Sequence, residues 1–113
     1  MTDHEREVTR LLAERVMGHT PETVEEIMRH PEMFNPYTWA GAGEVLEALQ
    51  KRAVGVDCPP IWWRFIIRLR VHVSAALYGT PSTPVGVPGT LSVLSPRLIA
   101  EAAAEAVLEE EKP

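Results

Sequence analysis

The sequence is poor in cysteine, in long apolar runs and in positive charge, and each shortage excludes something. The single cysteine, Cys58, has no partner for an internal disulfide, which fits a reducing compartment. No window of 18 apolar residues occurs, so no membrane span is expected. The segment Met1-Thr2-Asp3-His4-Glu5-Arg6-Glu7 is charged and has no apolar core, so no secretory signal is expected. Positive charge is in deficit: a net charge of −5 argues against a protein that coats nucleic acid.

Catalytic and cofactor signatures are missing too. Gly41-Ala42-Gly43 is too short for a dinucleotide fingerprint and no strand precedes it, so close helix packing explains it better. His4, His19, His30 and His72 are not spaced i, i+4, and none pairs with Cys58 at metal-ligand spacing. No nucleophile elbow supports a serine triad. The expectation is a non-enzymatic protein with no cofactor and no metal.

What remains is a chain of 113 residues, 45% hydrophobic, enough for a single domain over 1–113 with one core. Its charge is uneven. Most acids precede residue 52 and Glu109-Glu110-Glu111 add three more, whereas no acid falls between Cys58 and Glu101. That acid-free stretch holds Arg64, Arg68 and Arg70.

Helix signals are plain at the N-terminal end. Thr2 followed by Glu5 makes a capping box for a helix over about 3–17, with Val8, Leu11, Leu12 and Val16 on one face and Gly18 as its stop. Thr20-Pro21 opens a second helix that Pro31 ends at His30. Residues 33–38 read as an extended linker in which Thr38 caps a third helix over about 39–52, with Ala42, Val45, Leu46 and Leu49 as its buried stripe. Gly41 and Gly43 weaken that helix unless another backbone packs closely there.

Residues 61–78 are rich in β-branched and aromatic side chains, and they read as a long strand, bent near 72–75 or split into two. Ile61, Trp63, Phe65, Ile67, Leu69, Val71 and Val73 share the core-facing parity, and Trp62, Arg64, Ile66, Arg68 and Arg70 the other. Residues 79–90 read as a mobile Pro/Gly loop and 91–94 as a short return strand. Ser95-Pro96 then opens a final helix with Leu98, Ile99, Ala102, Ala103, Ala106 and Val107 inward and a frayed acidic tail over 109–113. The predicted class is α+β: a layered α/β/α sandwich, with a small antiparallel sheet packed by N-terminal, middle and C-terminal helices. Leu11, Leu12, Leu46, Leu49, Trp63, Phe65, Ile67 and Ile99 should be buried together.

Three motifs resemble the small tailed-phage proteins of the ABA-sandwich group, and are similar to the NinX-type proteins. They are 12–18 (LAERVMG), Phe34-Asn35-Pro36-Tyr37-Thr38-Trp39 with Ala40 and Gly43, and Ser95-Pro96-Arg97-Leu98-Ile99-Ala100, together 21 of the 113 residues. That group commonly carries an aspartate after the threonine, where this chain has Trp39. The resemblance implies an α/β/α fold, a phage origin and action in the host cytoplasm. It implies no settled biochemical activity. The expected role is binding, since small phage proteins of this size and order are known as oligomeric sponges that sequester nucleotide-derived signals of bacterial defence.

A nucleotide-like ligand would need a stacking plate and phosphate contacts. On a strand Trp62, Arg64, Ile66 and Arg68 share one face, with alternate residues about 6.6 Å apart and Arg70 beyond, and the tryptophan and arginines can supply both. Trp39, Thr38 and Asn35 at the second motif and Thr80, Ser82 and Thr83 in the loop complete the candidate ligand-binding set. Against this, Trp62 can simply cover the sheet, and the loop can be a solvated connection. The rival reading is a module that inhibits or redirects a host protein through an exposed face. Surplus apolar surface points to a homo-oligomer in either case.

Overall fold

The computed structural model describes residues 1–53, 60–79, 89–90 and 93–111. Among these, every regular element is helical, and the α+β class and the ABA sandwich are overturned. The helices whose bounds lie within the described residues are α1 (Asp3–Leu11), α2 (Pro21–Arg29), α3 (Trp39–Ala53), α4 (Pro60–Tyr78) and α5 (Pro96–Glu110). A π-helical turn, Leu12–Val16, continues α1, and a 3-10 turn, Pro31–Met33, follows α2.

The caps form as the local chemistry dictates. Thr2 and Glu5 make the reciprocal capping box of α1, and Thr20 and Ser95 cap α2 and α5. Gly18 takes a φ of 71° where the first helix stops, and Gly79 a φ of 74° after α4. The π-turn was not anticipated. The Met17 N–H donates to the Leu12 carbonyl at 2.9 Å, five residues back, and Leu12, Ala13 and Val16 are all buried.

The main correction is 60–78, which is one helix of 19 residues instead of a strand. Its apolar parity set contains two helical series. Ile61, Phe65, Leu69 and Val73 recur every fourth residue and turn inward, with Ile61, Phe65 and Val73 fully buried. Trp63 and Ile67 are the residues between, and they stand 49% and 55% exposed. A period of two therefore hides a period of four here, and β-branched residues only mildly oppose a helix that has a core to pack on. The return strand at 91–94 is corrected as well. Thr90 and Val93 are helical and the Leu94 N–H donates to the Thr90 carbonyl at 2.9 Å, while Leu91 and Ser92 lie outside the described residues.

The fold is built around α5. Ile99, Ala100, Ala102, Ala103, Ala104, Ala106 and Val107 are buried over rather more than half of its circumference, and Arg97 and Leu108 mark the exposed side. Five alanines let neighbours approach closely: α4 lies along it, and α3, the π-turn and α1 cover the rest. Leu12, Leu49, Phe65 and Ile99 share this core, and Leu11 and Leu46 pack at its edge. Glu109, Glu110 and Glu111 face Arg68, Arg52 and Arg15, so the end of α5 is tied to α4, α3 and the π-turn. No helix among the described residues is long and apolar enough to cross a membrane.

Candidate interaction surface

Among the described residues, those proposed for a nucleotide ligand do not share one face. In a helix each residue turns about 100° from the last, so Trp62 points away from Arg64 and Arg68. Trp62 is half-buried, its ring 5.6 Å from that of Phe65 and tilted by 38°. Arg68 pairs with Glu109 and lies 4.0 Å from Glu105, so its charge is already met. Arg64 and Arg70 have no ion pair among the described residues.

Asn35 and Thr38 come together, but as backbone partners. Asn35 Oδ1 accepts from the Tyr37 N–H at 3.0 Å. The Thr38 hydroxyl donates to the Asn35 carbonyl at 2.8 Å and accepts from the Gly41 N–H at 3.1 Å, which caps α3 as expected. Gly41 is needed there because a Cβ would collide with the Asn35 carbonyl, whereas Gly43 faces open space. Trp39 is 60% exposed at the first residue of α3. Thr80, Ser82 and Thr83 lie outside the described residues.

Two surfaces emerge that the sequence reading did not assign. The first is the outer ridge of α4. Trp63 and Ile67 stand one turn apart in solvent, flanked by Arg64 and Arg70, on a helix with no acidic residue. Both apolar residues were expected in the core; their i, i+4 spacing, out of phase with Ile61 and Phe65, is the signal that could have found the ridge. The second is a groove of about 500 Å³ where α3 passes the π-turn and the 3-10 turn. Met17, Met33, Phe34 and Ala48 give it an apolar floor, and Glu44 and Glu47 stand on its rim. A hollow of about 300 Å³ continues it past Glu32, sharing Met33, Phe34 and Glu44.

No family model, curated protein or solved structure matches the chain. A polar seam runs between α1 and α5.

In that seam His4 Nε2 lies 2.9 and 3.0 Å from the two Glu101 oxygens, and the Tyr37 hydroxyl donates to Glu101 at 3.3 Å. Arg97 lies 5.2 Å over the Tyr37 ring and 3.3 Å from Glu5. Burial and the neighbouring Glu101 charge push the Tyr37 phenol well above the usual tyrosine range. Hydrogen bonds from Thr2 hold Glu5 below the usual carboxylate range. These groups satisfy one another, which is the arrangement of a tie between helices. No cluster of three or more metal-ligating side chains forms among the described residues.

Proposed function

We propose that the chain is a non-enzymatic protein-interaction module of the host cytoplasm whose binding element is the outer ridge of α4. The observation that carries this reading is the exposure of Trp63 and Ile67, one turn apart, beside two arginines with no ion pair among the described residues. Exposed aromatic and arginine side chains together are the usual composition of interface anchors, and anchors at i and i+4 are the reading of a helix that docks in a groove. The nucleotide reading has less support. Trp62 leans on Phe65, and Arg68 is neutralised by carboxylates of α5, so no plate with flanking cations is assembled from them. A phage origin rests on the three local motifs alone.

The test is a photo-crosslinking residue in place of Trp63, expressed in cells. It should trap a protein, this chain or another, that the same probe at exposed Gln50 does not trap. A panel of cyclic nucleotides and ADP-ribose derivatives should leave the melting temperature unchanged. A stabilising nucleotide whose effect disappears in Arg64→Ala would replace this reading with ligand binding.

A further inference from the structure

We propose that the partner is a second copy of this chain, docked head to tail, with the α4 ridge of one copy seated in the Met33 groove of the next. This rests on the interaction reading above and names its partner.

Charge is the first argument. The ridge belongs to a helix with three arginines and no acid. The groove and its hollow are rimmed by Glu32, Glu44 and Glu47. Lys51, the one lysine on the rim, is held 3.2 Å from Glu47, and Glu44 has no ion pair among the described residues. Opposite charges thus sit on two separate patches of one chain, the arrangement that steers a second copy into register.

Shape and chemistry are the second. Met33 is 52% exposed over a floor of Met17 and Phe34. Methionine adapts to an incoming aromatic ring, and a sulfur beside a ring is a favourable contact. The groove is in the size range that accepts anchor side chains such as Trp63 and Ile67.

Topology is the third. Within one copy α4 touches α5 and α3 but neither α1, the π-turn nor α2. The ridge and the Met33 side of the groove therefore do not meet inside a single copy. Two unlike patches that fit each other make a heterologous contact, which closes into a ring or grows as a filament.

Sedimentation equilibrium of the full chain from micromolar to millimolar concentration tests this. The average mass should climb with concentration and fall as salt is raised. Arg64→Glu/Arg70→Glu should be a folded monomer, and Glu44→Arg/Glu47→Arg likewise, with circular dichroism checking the fold. Mixing the two should restore assembly, because each reversed patch then finds its complement. Trp63→Ser, which leaves every charge in place, should also be monomeric. The proposal is overturned by a wild-type monomer over the whole range, by either charge-reversed variant assembling alone, or by a mixture that stays monomeric. A monomer that still crosslinks a foreign protein at position 63 would overturn this inference and leave the interaction reading standing. A monomer that crosslinks nothing would end both.

Discussion

Both faces of α4 carry large apolar residues, and the two sets meet opposite surroundings. Phe65 is 1% exposed and packs in the core with Ile61 and the alanines of α5, while Trp63, two residues earlier, is 49% exposed. Ile66 is half-buried at the core edge and Ile67 beside it is 55% exposed. Neither hydrophobicity nor β-propensity separates these pairs. What separates them is the angle each side chain makes with α5, whose small residues bring the α4 backbone close enough for one face to be dry. Residue type sets what burial is worth, and helical phase decides which residue receives it.

The largest effect should come from breaking the inner face. Phe65→Ala removes a fully buried ring and should cost about 3–5 kcal/mol, a large part of a small domain's stability. Urea denaturation at neutral pH measures it. A loss under about 1 kcal/mol would mean that α4 does not hold the core as described.

Next comes the same contrast on α3, between Gly41 and Gly43. Gly41→Ala drives a methyl group into the Asn35 carbonyl, a backbone atom that cannot rotate away, and should destabilise by about 1–3 kcal/mol. Gly43→Ala meets open space and should stabilise by about 0.5–1 kcal/mol through helix propensity alone. Opposite signs from one substitution two residues apart would repeat the lesson of α4. Equal signs would break it.

These pairs also show how much was legible in advance. Thr2 with Glu5, Thr20 with Pro21, Ser95 with Pro96, and Gly18 act on backbone groups within four residues, so their signals survive any tertiary arrangement. The phase of α4 does not have that property. Ile61, Phe65, Leu69 and Val73 satisfy both an alternating and a helical pattern, and only the packing surface of α5 distinguishes them. The grouping of Trp62 with the arginines rested on the same assumption. Trp62 shares a face with Arg64 and Arg68 on a strand and turns away from them on a helix, so the change of period separates the tryptophan from the arginines. Thr38 caps α3 as its place before the helix predicts, and turn and cap bonds occupy Asn35 and Thr38.

A smaller effect should come from Tyr37, which lies between the dry and wet regions. Tyr37→Phe deletes the hydrogen bond to Glu101 and should cost about 1 kcal/mol at neutral pH. The folded protein holds the phenol proton more tightly than the unfolded chain, whose tyrosines titrate near about 10. Its contribution is thus complete below that pH and is lost as pH rises towards the higher folded value. Melting temperatures between neutral and strongly alkaline pH should fall less steeply in Tyr37→Phe than in wild type. Parallel curves would detach Tyr37 from the seam.

The smallest effect, and the one that sharpens the comparison most, belongs to Trp63. A tryptophan in a core would cost as much as Phe65 to remove, since large aromatic truncations reach about 3–5 kcal/mol. On the outer face Trp63→Ala should change stability by no more than about 0.5 kcal/mol, because half of the side chain is already in water and no cavity forms when it goes. The measurement must be made at low protein concentration and repeated at high concentration. If a second copy covers the ridge, association stabilises the wild type as concentration rises and leaves Trp63→Ala behind. The two proteins should therefore melt together when dilute and separate when concentrated. A large gap at low concentration would return Trp63 to the core and undo the helical phase of α4.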